Sequence, residues 1–370
     1  VREYLLVFLV AGTVSYLLCV VARELAMHSG AVAQVRDRDV HAIPIPYFGG
    51  VAMLGGLWAG YLLAHQLPFL STASPTIFHD ARTVLIGGTI ICAVGVLDDL
   101  IELDALTKLG GQIVAAAFLV LNGVQLLSFR VPGGQFVLDP TQGLLLTIVL
   151  VVATVNAVNF VDGLDGLAGG VIAIGAVAFF AFSYKLADVN GETLAITAAL
   201  LSAVLGGACM GFLPHNFSPA RIFMGDSGSM LLGLVLAGSA VTLTGQFATV
   251  DLGSPASTLP MFLPLLLPVS ILLVPFLDLV LAVVRRTRAG KMFYQPDKKH
   301  LHHRLLEFGH SQRRAVLIMW LWAALIAFGT VFACLYYSQP VTWAAIAVWL
   351  VATLAATFVL PRVHRPGELV

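Results

Sequence analysis

The sequence predicts an all-α fold, a polytopic membrane helix bundle of about eleven transmembrane helices whose polar loops gather on the cytoplasmic face. Three observations carry that reading. The 370 residues are 59% hydrophobic and 11% charged, against about 25% charged in an ordinary soluble domain, and the mean hydropathy is +0.93. A water-soluble protein this apolar could not cover its own surface, so the bilayer is its solvent. The apolar residues also fall into separate runs close to spanning length. Finally, threading those runs alternately from an outside N-terminus leaves 16 of the 20 Lys and Arg residues on one side, the asymmetry of cytoplasmic loops.

Taken in order, the predicted spans are 4–22, 47–64, 82–99, 107–122, 143–158, 168–184, 193–212, 228–245, 259–282, 315–336 and 341–360. The first follows Val1-Arg-Glu-Tyr directly and lacks a small-residue cleavage site, so it reads as a transmembrane helix and not a removed signal. Segments 107–122 and 143–158 carry the weakest apolar signal. The outside segments around 65–81 and 246–258 are plain Ser, Thr, Pro and Gly loops. No repeat or low-complexity tract divides the chain, which reads as a single membrane domain, 1–370, with a sizeable cytoplasmic loop at about 283–314. The four cysteines, Cys19, Cys92, Cys209 and Cys334, lie inside apolar runs without CxxC or Cys/His spacing, which excludes a zinc site built on them.

Five inside loops carry the chemistry. The first, Arg36 to Gly50, uses Pro44 and Pro46 to fix extended backbone and Gly49-Gly50 to permit close backbone approach. The second closes the third span with Asp98-Asp99, followed by Lys108. Two adjacent carboxylates repel, so a cation must offset them: Lys108, another loop or a metal. In the third, Asn156, Asn159, Asp162 and Asp165 recur every three residues, with glycines at 163 and 166. Helical spacing puts neighbouring members near one face, and an oxygen-only ligand set favours Mg²⁺ or Mn²⁺ over zinc. The fourth runs from Asn216 through Arg221 to Asp226-Ser227, where Asp and Ser suit a helix N-cap and the helix start suits phosphate. The fifth places His300, His302, His303 and Arg304 beside Lys298 and Lys299, donors suited to a phosphorylated ligand. All five fall on one side, the assembly that metal-assisted phosphoryl transfer requires.

These motifs resemble those of the polyprenyl-phosphate N-acetylhexosamine-1-phosphate transferases. The resemblance rests on the Pro-rich Gly-Gly entry at 41–50, Asp98-Asp99, Asn156 to Gly166, Met-Gly-Asp-Ser-Gly-Ser at 224–229 and His-Leu-His-His-Arg at 300–304, in family order. It implies a Mg²⁺-dependent enzyme, with Mn²⁺ a substitute, that moves a sugar 1-phosphate from a UDP-sugar to a polyprenyl phosphate in the bilayer. It implies Asp165 and Asp226 as metal ligands and Asp98 as a base of the acidic pair with Asp99. Lys108, Asp162, His302 and His303 join these as catalytic groups. Asn156, Asn159, Arg221, His300 and Arg304 hold substrate. Leu301 interrupts the histidine triplet typical of the MraY branch, which points to the WecA/TagO branch and to UDP-GlcNAc.

The resemblance further implies a bacterial plasma membrane protein with its active site and C-terminus in the cytoplasm, a homodimer as a candidate assembly and no nucleic-acid partner. The competing expectations are a transferase for another UDP-sugar, a lipid-binding scaffold without chemistry and a secondary transporter. A transporter would carry its ionisable groups near the bilayer midplane.

Overall fold

The computed structural model describes residues 1–33, 44–72, 75–131, 134–190, 193–244, 309–336 and 338–359, together with single positions between 245 and 308. The described helices are α1 (Arg2–Ser29), α2 (Gly49–Ala64), α3 (Pro68–Ser71), α4 (Pro75–Ile101), α5 (Ala105–Leu121), α6 (Pro140–Val161), α7 (Leu167–Asn190), α8 (Thr193–Asn216), α9 (Gly225–Thr244), α10 (Gln312–Leu335) and α11 (Pro340–Phe358). Eight are long and apolar enough to cross a membrane, and α2 and α5 are shorter apolar helices. These ten correspond to ten of the expected spans. The expected span at 259–282, with the His-rich loop beyond it, lies outside the described residues. The protein is a multi-pass helical membrane protein.

The helices run further than the apolar runs suggest. Helix α4 begins at Pro75 and ends at Ile101, so the acidic pair stands inside its last turns. The two weak segments are helices for local reasons. Asp104 caps α5, accepting from the amides of Leu106 and Thr107 at 3.0 Å each. Asp139 and Gln142 form a capping box at the start of α6, with Pro140 in its first turn, where a missing amide costs nothing.

Two antiparallel hairpins were not anticipated. Strands β1 (Val32–Ala33) and β2 (Ile45–Pro46) pair at the site end. Strands β3 (Ser128–Val131) and β4 (Gly134–Val137) pair at the opposite end. Both are too short to register as alternating runs.

Packing follows membrane rules, in which small residues face the interior and bulky ones face lipid. Helix α1 buries Val7, Ala11, Ser15, Cys19 and Ala22, and exposes Leu5, Leu9, Leu17, Val20 and Val21. A side chain at Gly12 would meet the Gly207 carbonyl oxygen at 3.0 Å, so α1 and α8 cross nearly backbone to backbone. Every residue of α9 except Asp226 is buried, and α4, α6, α8 and α2 surround it. A Cβ at Gly233 would stand 2.6 Å from Cα of Val155 on α6. The central helix therefore has one rotational setting, and its N-terminus delivers Asp226 to the site.

Candidate active site

The described parts of the first four polar segments reach the same end of the bundle. Gly49 and Gly50 donate their amides to the carbonyls of Phe223 and Met224, each at 3.0 Å, and Phe223 donates back to Pro46 at 2.8 Å. A Cβ at Gly49 would meet Cα of Met224 at 2.9 Å. The Gly-Gly entry is therefore a docking surface for the extended segment that leads into α9. Phe48, just before it, takes the left-handed backbone with φ 76°, a strained setting for a bulky residue that lets the chain turn from β2 into α2.

The acidic pair is resolved by geometry. Successive residues on a helix diverge by about 100°, and the two carboxylates find different neutralisers. Asp98 Oδ2 lies 2.8 Å from Lys108 Nζ, while its Oδ1 accepts from the Leu103 amide at 2.9 Å. Asp99 accepts from the amides of Asp226 at 2.8 Å and Ser227 at 3.3 Å. Asp99 thus caps α9 from another helix and meets the positive end of its dipole. The sequence favours Asp226 and Ser227 as caps of their own helix. They stand instead inside the first turn, after Gly225 at φ 69°, and α4 supplies the cap.

This leaves both Asp226 oxygens turned to the site. Lys108 Nζ pairs with Oδ2, and Asn159 Nδ2 donates to Oδ1 at 2.9 Å and to Ser229 Oγ at 2.9 Å. Lysine, asparagine and aspartate from α5, α6 and α9 thus form one clamp, tied to α4 through Asp98.

The Asn/Asp ladder splits where α6 ends. Asn156 and Asn159 lie on its last turns, Asp162 is its C-cap, and Asp165 follows in the turn. Asn156 lies one turn below the clamp and does not join it: its Nδ2 donates to Gln112 Oε1 at 2.7 Å and to the Val152 carbonyl at 2.8 Å. Burial, followed by the negative charges of Asp226, Asp99 and Asp165, pushes the Asp162 carboxyl up to about 8. Asp165 is buried, and its Oδ2 accepts from the Ala220 amide at 3.0 Å. Beside it, buried Asn216 accepts from Gly166 N at 2.9 Å and donates to the Ile222 carbonyl at 3.0 Å. Asp165 and Asn216 therefore bind the third loop to the fourth. Gly166, at φ 77°, packs against Phe217. Arg221 is anchored through its backbone to His215, and its side chain is exposed at the rim.

His300, His302, His303 and Arg304 lie outside the described residues. Among the described residues, no three His, Cys, Asp or Glu side chains already surround a common point for a metal ion. The clamp is nonetheless acid-rich: of Asp98, Asp99 and Asp226, two share the single ammonium of Lys108, and the third is held by the Asp226 and Ser227 amides. Its side-chain donors are oxygens, the chemistry of a hard divalent cation.

Gln112 and Ser229 were not singled out as site residues, and neither was Gly95. Gln112 follows Lys108 by one turn in an otherwise apolar stretch, which is a readable signal. Gly95 precedes Asp99 by one turn, and a Cβ there would meet the carbonyl carbon of Asp226 at 2.6 Å. Only the packing reveals it.

A family model described as Glycosyl transferase family 4 matches residues 81–244. The decaprenyl-phosphate N-acetylglucosaminephosphotransferase of Mycobacterium tuberculosis (strain ATCC 25618 / H37Rv) is 45% identical over 377 residues, covering 99% of this chain and 91% of that protein. The chain belongs to glycosyl transferase family 4. The family 4 match contains Asp98, Asp99, Lys108, Asn156, Asn159, Asp162, Asp165, Arg221 and Asp226. A probable undecaprenyl-phosphate N-acetylglucosaminyl 1-phosphate transferase of Bacillus subtilis (strain 168) is 32% identical, covering 85% of this chain and 80% of its own. The phospho-N-acetylmuramoyl-pentapeptide-transferase of Mycobacterium bovis (strain BCG / Pasteur 1173P2) is 34% identical, covering 88% and 94%. The resemblance to polyprenyl-phosphate N-acetylhexosamine-1-phosphate transferases is borne out.

Proposed function

We propose that this protein transfers N-acetylglucosamine 1-phosphate from UDP-GlcNAc to a polyprenyl phosphate, yielding the polyprenyl-diphosphate sugar and UMP. The observation that carries it is the near-full-length likeness to a decaprenyl-phosphate N-acetylglucosaminephosphotransferase. The likeness to the muramoyl-pentapeptide enzyme is lower, 34% against 45%, which favours GlcNAc as the sugar. The described acids of the cluster sit at helix ends and not at mid-helix, unlike those of a transporter.

In the proposed reaction a phosphate oxygen of the lipid attacks the β-phosphorus of the sugar nucleotide. The bond from that phosphorus to the bridging oxygen breaks, and UMP leaves with the electron pair. A lipid phosphate with a second pKa of about 6 is largely ionised at neutral pH, so orientation outweighs deprotonation. Asp98, held by Lys108 and Leu103 N, orients the lysine. Lys108 offers its ammonium to a phosphate oxygen as a charge-assisted donor. Asp99 positions Asp226 through the α9 cap, and Asn159 fixes the Asp226 carboxylate. Mg²⁺ would neutralise diphosphate charge here. Asp226 would be its principal ligand, and Asp165, engaged with Ala220 N, would contribute less. Arg221 and the His300–Arg304 segment supply further phosphate donors.

The basic asymmetry supports a cytoplasmic setting for this end of the bundle, where a sugar nucleotide is available, and the proposed location is a bacterial plasma membrane. The test is transfer of labelled UDP-GlcNAc into chloroform-extractable lipid by purified protein. Label that needs polyprenyl phosphate, disappears with EDTA and falls at least about 100-fold in Asp226→Asn supports the reading. Lipid-linked label from a different UDP-sugar only would replace the substrate, and none from any UDP-sugar would sink the transferase.

A further inference from the structure

Beneath the clamp lies a second polar tier that the reaction itself does not call on. Each helix that supplies a clamp residue supplies another about one turn deeper. Helix α5 carries Lys108 and then Gln112, α6 carries Asn159 preceded by Asn156, and α9 carries Asp226 and then Met230. Residues three or four apart share a helix face, so the deeper set repeats the arrangement above it. Asn156 Nδ2 donates to Gln112 Oε1 at 2.7 Å, and Gln112 Nε2 points back at Asn156 Oδ1 at 3.5 Å and at Met230 Sδ at 3.6 Å. Gln112 is 2% exposed. Asn156 is half-buried, and amides set among apolar helices are costly unless paired, because lipid offers them no partner.

Helix α5 needs such a device. It packs on α4 and α6, and its outer face is Leu106, Leu109, Ile113, Val114 and Leu121, all exposed. Apolar side chains against lipid tails offer little resistance to rotation or sliding of a helix. Glycine faces α4 at Gly111, where a Cβ would meet Val94 Cγ1 at 2.7 Å, so below the Asp98–Lys108 pair the α4 contact at this point is close and apolar. Below Lys108, the Gln112–Asn156 pair is the directional contact that α5 makes among the described residues.

We propose that Gln112 and Asn156 are positioning residues that set the rotation and depth of α5, and thereby hold the Lys108 ammonium between Asp98 and Asp226. The inference rests on the transfer reading above, in which Lys108 meets a phosphate. It reassigns Asn156 from holding substrate to holding a helix. A lysine displaced by a small helix rotation still lets substrate bind through the other groups but loses its place on the reacting phosphate, so turnover suffers more than binding.

The test compares wild type with Gln112→Leu, Gln112→Asn, Asn156→Gln and the exchanged pair Gln112→Asn/Asn156→Gln, in polyprenyl phosphate with labelled UDP-GlcNAc. Melting temperature is measured on the same samples. The expected result for Gln112→Leu is a kcat lower by about 10-fold or more, with KM for UDP-GlcNAc within about 2-fold and a melting temperature that stays well above the assay temperature. Each single amide change lowers kcat, and the exchanged pair recovers most of it, because total length and pairing are restored. An active wild type with unaffected Gln112→Leu overturns the inference alone. A kcat loss that follows the melting temperature and is not recovered by the exchanged pair makes the amides structural and also overturns it. A wild type inactive with every UDP-sugar overturns the transfer reading and this inference with it.

Discussion

At the scale of single residues, the site solves a charge problem by dividing it. Asp98 and Asp99 are neighbours in sequence, yet one is neutralised by a lysine and the other by the amides at a helix start. Among the described residues Asp162 has no such partner, and it sits in the field of three other carboxylates, with its pKa raised to about 8. The folded protein therefore binds this proton more tightly than the unfolded chain, whose aspartate titrates near 3.9. Stability attributable to Asp162 is complete below about pH 4 and is lost progressively as pH rises toward 8, because deprotonation then places another negative charge in the cluster. The melting temperature of metal-free protein should fall between pH 6 and pH 8, and Asp162→Asn should flatten that slope. An identical slope in the variant would assign the effect elsewhere. Lys108 and Asp226 belong to the residues legible from sequence, because acids and a lysine at a membrane boundary need one another. Asn156 was legible as polar but not as to its partner, since spacing names a face and not what the face meets.

At the scale of elements, function depends on how closely α4 and α9 approach. Gly95 lets Asp99 reach the amides of Asp226 and Ser227, and a Cβ there would press on the α9 backbone at 2.6 Å. Backbone cannot move aside as a flexible side chain can. Gly95→Ala should destabilise by about 1–3 kcal/mol and reduce transfer, because the cap on α9 lengthens as the helices part. Thermal unfolding and turnover of the same preparation check this, and full stability with full activity would show that the helices can separate without penalty. The ten described apolar helices were legible as runs of spanning length. Their ends were not, because capping by Asp104 and Asp139 and the continuation of α4 through its acidic pair extend helices past their apolar windows. The two hairpins escaped notice since strands of two to four residues give no period.

At the scale of the whole molecule, alternation of the helices brings the Gly-Gly entry, the acidic pair, the Asn/Asp turn and the Met-Gly-Asp-Ser run to one end. The opposite end is built differently. Glu3 there accepts from the Phe69 and Leu70 amides at 2.8 and 2.9 Å, and buried Tyr4 packs edge-on against Phe69, Phe180 and Tyr184. With the four native cysteines buried, single introduced cysteines can report orientation. A cysteine at Arg221 should react with a membrane-impermeant maleimide only after the inner face is exposed, whereas one at exposed Leu127 should react from outside. The reverse pattern would invert the topology and place the clamp away from the sugar nucleotide.

The sequence by itself determined that the chain is a multi-pass helical membrane protein and which polar loops share a face. It did so because hydrophobic length, basic asymmetry and motif order are properties of the chain read one segment at a time. The family could be recognised on the same terms. Only the tertiary structure decided which carboxylate meets the lysine and which caps α9, that Asp165 and Asn216 bind two loops together, and that Asn156 pairs with Gln112 beneath the clamp. Those outcomes depend on helix rotation and on backbone approach through glycine. Apart from the Asp98–Lys108 pair, both are set by packing between segments more than 40 residues apart, where spacing along the chain carries no information.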